Sequence, residues 1–189
     1  MNKDNIWWTR KNWINAEKRL NSMATWSNLA LFWYSLCGVF ASVLVLGAEQ
    51  PDLTSKLFIC FSVFVFCASL LSSLGRYSDR VAKLKSGYIQ LQALYSKVKD
   101  KDSLSEEDEA RYTQILDSCE NHFWSDFINS KVEAYLNTKD KSELTIVATK
   151  LDFVLYFGLR IVKVISIAAL ILAPVLLIYF SIFKGVTNL

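Results

Sequence analysis

The sequence predicts an all-α integral membrane protein: three transmembrane helices, and a helical bundle continuous with the second and third of them. Three observations predict it. Three stretches free of Asp, Glu, Lys and Arg interrupt the 189-residue chain: 29 residues between Arg19 and Glu49, 19 between Lys56 and Arg76, and 20 between Lys163 and Lys184. Hydrophobic residues make up 52% and aromatics 14%, with two prolines, a profile too apolar for a charge-coated soluble domain. After the second stretch, apolar residues keep an unbroken 4-3 helical spacing.

A helix needs about 20 apolar residues to cross a hydrocarbon core of roughly 30 Å at 1.5 Å per residue. All three stretches qualify, giving spans at 29–48, 57–75 and 164–183 within a single domain, 1–189. From Leu57 to Leu74 every residue is apolar, Ser or Cys, so the middle stretch lacks the polar face of a soluble core helix. The basic leader and the apolar run after it are both too long for a secretory signal.

Lys and Arg set the expected orientation. Lys3, Arg10, Lys11, Lys18 and Arg19 precede span one, and the link to span two holds only Lys56 beside Glu49 and Asp52. Residues 76–163 hold 14 Lys/Arg against 14 Asp/Glu, and Lys184 alone follows span three. The positive-inside rule then places the N-terminus and 76–163 in the cytoplasm and the C-terminus outside.

The leader 6–20 predicts an interfacial helix. Ile6, Trp13 and Leu20 recur every seventh residue, and Trp7, Trp8 and Trp13 with Arg10, Lys11 and Arg19 suit anchorage at the headgroups. An ordinary pre-membrane anchor fits the same residues. Within the end of span two, Leu70 and Leu74 begin an a/d heptad seam, continued beyond it by Tyr77, Val81, Leu84, Tyr88, Leu91, Tyr95 and Val98. The seam runs without a break into a stalk whose partner, the same chain or another subunit, it does not specify. Gly87 inside it costs about 1 kcal/mol.

A polar connector, 100–105, ends the stalk. Ser105 is a good N-cap, and Glu106, Glu107, Asp108 and Glu109 fall in the first turn, where the helix dipole favours acid. Capping explains that run better than metal binding. Tyr112, Ile115, Leu116 and Cys119 form the next apolar set, then Trp124, Phe127, Ile128, Tyr135 and Leu136. After a connector at 137–142, a long helix with Leu144, Val147, Leu151, Leu155, Gly158 and Val162 leads into span three, where Pro174 should bend it.

Polar residues stripe the spans. Asn28, Ser35, Ser42 and Glu49 recur every seventh residue along the first, and Ser55, Ser62, Ser69 and Arg76 along the second. Polar groups are costly against lipid, so these faces should meet protein or water. Two readings stand: close helix packing, or a pore lining that forms when subunits assemble.

Catalytic chemistry is absent from the pattern. There is no nucleophile–base set, phosphate-cradling loop or metal spacing. Cys37, Cys60, Cys67 and Cys119 form no CxxC pair and imply free thiols, and the single histidine, His122, cannot complete a zinc set. His122 beside Glu120 reads as structural. No enzyme activity, cofactor or direct nucleic-acid binding is expected.

The leader I-W-W-T-R-K-N-W-I-N-A-E-K-R-L with two close spans after it, the stalk segment G-Y-I-Q-L-Q-A-L-Y-S-K and the later Y-T-Q-I-L-D-S-C-E-N-H together resemble SLATT-domain proteins, most of all their fifth group. The resemblance covers most of the chain. It implies a membrane effector of bacterial conflict systems, found beside nucleotide-signal synthases, SLOG-type sensors or reverse transcriptases. Such an effector assembles in the inner membrane and permeabilises it on infection. The third span departs from the two-span pattern, and the sequence shows no attached sensor domain. The expected partners are therefore membrane lipid, further copies of the chain, and one of those neighbours. A non-conducting scaffold that tethers a soluble partner is the rival expectation.

Overall fold

The computed structural model describes residues 3–45, 53–74, 77–101 and 103–187, with side chains over 3–43, 59–70, 77–101 and 103–180. Six helices account for most of them: α1 (Lys3–Val45), α2 (Leu53–Leu74), α3 (Tyr77–Val98), α4 (Glu106–Asp117), α5 (Trp124–Asn137) and α6 (Lys150–Thr187), with one 3-10 turn at Lys141–Glu143. No strand occurs among the described residues. The chain divides into two compact units, 1–23 with 77–160 and 24–76 with 161–189, so α1 and α6 each give residues to both.

In the first unit the leader is the centre of the core. Ile6, Trp13, Ala16 and Leu20 are buried together with Leu84, Leu91, Leu94 and Val98 of α3 and Tyr112 and Ile115 of α4. The two helices run antiparallel. Lys3 Nζ donates to the carbonyls of Lys99 and Lys101 near the end of α3, while the Trp13 ring lies against Gly87. Both carry an apolar residue every seventh position, so each offers the other a matching stripe. The stalk seam therefore finds its partner within the chain. Its passage across Gly75 and Arg76 lies outside the described residues.

Short-range signals fix the helix starts. Ser105 caps α4, its Oγ accepting from the Asp108 N–H at 3.3 Å. Asp108, in the middle of the acidic run, is buried and is held by Lys97 at 2.8 Å and Lys101 at 3.0 Å. Hydrogen bonds from those ammonium groups and Ser105 hold its carboxyl well below the usual carboxylate range. Below the ordinary carboxylate pKa near 4, the unfolded chain binds a proton that the folded one refuses. Its stabilisation is thus present above about pH 4 and is lost as pH falls further. Thermal scans in detergent between pH 6 and 3 should show a steeper acid loss for the native chain than for Asp108→Asn. Parallel curves for the two would refute the assignment.

The long helix expected directly after residue 142 begins later, at Lys150. Thr149 and Asp152 form a reciprocal cap: the Thr149 N–H donates to Asp152 Oδ2 at 2.8 Å and the Asp152 N–H to Thr149 Oγ1 at 3.3 Å. Burial alone would raise the Asp152 carboxyl, but Lys131 at 2.6 Å and the two Thr149 donors outweigh it and lower it. α5 and α6 enclose a smaller core of Ile128, Val132 and Tyr156.

The second unit has the opposite distribution. Among its described residues the buried side chains are few and mostly small: Cys37 and Ala41 of α1, Val65 of α2 and Pro174 of α6. Small residues four apart let helix backbones approach closely where no hydrophobic drive separates protein from solvent. Tyr34 stacks on Phe61 at 5.5 Å. Trp33 Nε1 donates to the Ile171 carbonyl at 3.0 Å, in the turn whose hydrogen-bond ladder Pro174 interrupts. Outward stand Phe32 (68% exposed), Phe40, Phe64 and Ile165, large apolar side chains on three helices that a water-soluble domain would not expose together. Among the described residues, Lys3–Val43 and Lys150–Phe180 are helices long and apolar enough to cross a membrane, and Ile59–Leu70 is a shorter apolar stretch within α2.

Candidate functional site: the serine groove of α1 and α2

The seven-residue serine stripe places polar groups on one flank of each of two neighbouring helices. Ser35 and Ser42 of α1 and Ser62 of α2 line a common open groove of about 350 Å³, floored by Gly38 and Val65 and closed on one side by the Tyr34–Phe61 stack. Asn28 and Ser69 are exposed but lie away from it. Glu49 and Arg76, at the ends of the two stripes, lie outside the described residues, and Ser55 lies outside those whose side chains are described.

Each groove hydroxyl of α1 is satisfied by its own helix. Ser35 Oγ donates to the Leu31 carbonyl and Ser42 Oγ to the Gly38 carbonyl, both at 2.8 Å. Back-bonding of this kind lets serine sit in an apolar setting while its lone pairs remain free to accept from water or a neighbour. Ser35 and Ser42 are exposed and bond back within α1, so their hydroxyls do not tie that helix to its neighbours. That task falls to Cys37 and Ala41, on the adjacent flank.

The expected headgroup anchors lie elsewhere than expected. Trp13 is 2% exposed and Trp8 is buried, its indole donating to Thr145 Oγ1 at 3.0 Å, so neither has surface left for lipid. Trp7 packs edge-on against Trp8, with Lys11 over its ring. Burial lowers the pKa of both Arg10 and Lys11. Arg19 makes a two-pronged bond to Asp126, 3.0 Å to each oxygen, and its guanidinium stacks on Phe123. The leader is thus core, and the interfacial reading of 6–20 gives way because its aromatic face has found protein. Of the stalk seam, Leu84 and Leu91 are fully buried, while Tyr77, Val81, Tyr88 and Tyr95 pack half-buried against the same core.

A polar line between α1 and α5 escaped the sequence reading. Asn12 Nδ2 lies 3.2 Å from His122 Nε2, and Asn15 Nδ2 donates to Ser130 Oγ at 3.0 Å. Burial lowers the His122 pKa against the opposing pull of Asp126, favouring the neutral ring that can accept from Asn12. Glu120 turns away to a two-pronged bond with Arg80, so it and His122 form no acid–base pair. Asn12, Asn15 and Arg19, spaced three and four apart on one helix face, were the available signal.

Residues 2–180 match the SMODS and SLOG-associating 2TM effector domain family 5. The chain belongs to this family. No curated protein and no solved structure matches it. The match takes in the leader, the stalk, the groove and both long apolar helices. Membership in a two-span SLATT family, together with two membrane-length helices, makes the chain a membrane protein with an antiphage-associated effector role.

Proposed function

We propose that this SLATT protein oligomerises in the bacterial inner membrane and permeabilises it when a signal or partner activates it. The observation that carries the reading is the serine groove: exposed serines from two helices line one open concavity between apolar helices. Copies assembled around that face would give water a polar wall. No catalytic step and no cofactor enters this reading.

Three crossings fit the chain best. The first unit contains both 3–23 and 77–160, so the segment between them leaves and returns to one side of the bilayer. A crossing by α1 then requires one by α2, whose 22 residues reach about 33 Å at 1.5 Å each. The Lys/Arg pattern favours the first unit in the cytoplasm.

Dye leakage or depolarisation on induced expression alongside the neighbouring genes tests the proposal. The Ser35→Leu/Ser42→Leu variant should assemble normally and lose most of the leakage. Intact membranes in activated cells would end the pore reading. An open groove between α3 and α4, about 760 Å³ and lined by Gln90, Lys97, Asp108, Arg111 and Gln114, favours a second reading in which a soluble partner docks on a non-conducting scaffold. That reading predicts leakage-independent function and indifference to the serine substitutions.

A further inference from the structure

We propose that α6 is the surface along which two copies of this chain pack side by side and parallel. The inference names the contact face for the assembly invoked above and rests on that reading. It starts from a face of α6 in the first unit that nothing covers. Here α6 turns Asp152 and Tyr156 inward, while Leu151 (65% exposed), Val154 (68%) and Phe157 stand on the other side. These three precede Arg160 and Lys163 and lie outside the charge-free stretch that a bilayer would cover. Apolar side chains so placed meet water or headgroups unless protein covers them.

The spacing identifies what covers them. Leu151, Val154 and Gly158 alternate by three and four, and the second unit's share of α6 continues the alternation through Ile161, Ile165, Ala168, Leu172, Val175 and Tyr179. All of the large residues among them are exposed. A 3.5-residue repeat kept over this length matches a second helix of the same repeat. Copies inserted by the same rule run parallel, so equivalent positions meet across a two-fold axis.

Two further observations agree. Apolar side chains of this size carry roughly 60–120 Å² each. Outside the charge-free stretch, Leu151, Val154 and Ile161 with the flanking Phe157 and Val162 thus offer on the order of 400 Å², about half of what one partner contributes to a stable complex in water, and the share within the bilayer adds close packing. Gly158, the costliest ordinary residue type in a helix interior, is used by nothing within the chain: a Cβ there meets no atom within 4 Å. A neighbouring backbone approaching at that seam position accounts for it.

Disulfide trapping in membranes that contain the full chain tests the inference. Leu151→Cys, Val154→Cys and Ile161→Cys should give oxidised homodimer several-fold above the native-cysteine background. Arg160→Cys and Leu170→Cys, off the seam, should stay at background. Adding Gly158→Leu to Val154→Cys should cut the trapped dimer several-fold while the helical circular dichroism is retained. Equal yields at all five positions, or adducts with a different protein alone, would overturn the proposal. Trapping is read without reference to leakage. Seam dimers in non-leaky, activated cells remove the pore and keep this interface, whereas leakage without seam dimers does the reverse.

Discussion

Gly87→Ala is expected to destabilise the first unit, although alanine is the better helix former by about 1 kcal/mol. A Cβ at this position would stand 2.5 Å from Trp13 Cζ3 and 2.6 Å from Cys119 Sγ. The cysteine can swing aside by one rotamer step, but the Trp13 ring is enclosed among Ile6, Leu84, Leu91 and their neighbours. Overpacking of this kind costs about 1–3 kcal/mol, and two close contacts with one stiff partner place it at the upper end. The net loss should be about 1–2 kcal/mol, or roughly 4–8 °C in melting temperature for a unit of this size. Trimming the ring identifies the cause: Trp13→Leu should cost less in the Gly87→Ala background than in the native chain. A melting temperature that rises with Gly87→Ala would show that leader and stalk are not in close contact.

Arg19→Ala should cost more. The Asp126 side chain is wholly inaccessible, and without Arg19 it keeps the Phe123 N–H at 3.0 Å and no counter-charge. Removing one member of a buried ion pair costs about 3–5 kcal/mol, and the partial exposure of Arg19 points to the lower figure. That is a large share of the 5–15 kcal/mol by which domains are ordinarily stable. Lys18→Ala, which breaks a neighbouring 3.5 Å bridge to Glu133 between more exposed groups, should cost at most about 0.5 kcal/mol. Removing both charges, as in Arg19→Met with Asp126→Leu, should recover most of the Arg19→Ala loss. Thermal melts of the detergent-solubilised chain measure all three. Equal effects of Arg19→Ala and Lys18→Ala would mean that Asp126 reaches water.

What could be read from the sequence was whatever is local. Ser105 announces the start of α4 because its hydroxyl and the acidic first turn act within four residues. The two long apolar helices are equally plain, because lipid imposes a length. The leader misleads because a tryptophan with cations beside it suits a headgroup and a protein core alike. Deciding between them needs Gly87 and Leu84, some 70 residues away. Val147 satisfies helical spacing, yet the Thr149–Asp152 cap overrides it and starts α6 three residues later. The serine stripe was visible from its period. The packing face beside it was not, since Cys37 and Ala41 look like ordinary apolar filler until α2 and α6 are in place. The burial of Asp108 and Asp126 was hidden for the same reason: their partners, Lys97 and Arg19, come from other helices.

The antiparallel pairing of the leader with α3 also sets a timetable. Ribosomes add about 5–20 residues each second, so Val98 emerges several seconds or more after Trp13. Throughout that interval the aromatic face of the newborn N-terminus has no native partner. Nascent chains halted before Tyr77 should therefore adhere to anionic vesicles through their first 23 residues, and chains extended past Val98 should release that grip as the stalk folds over it.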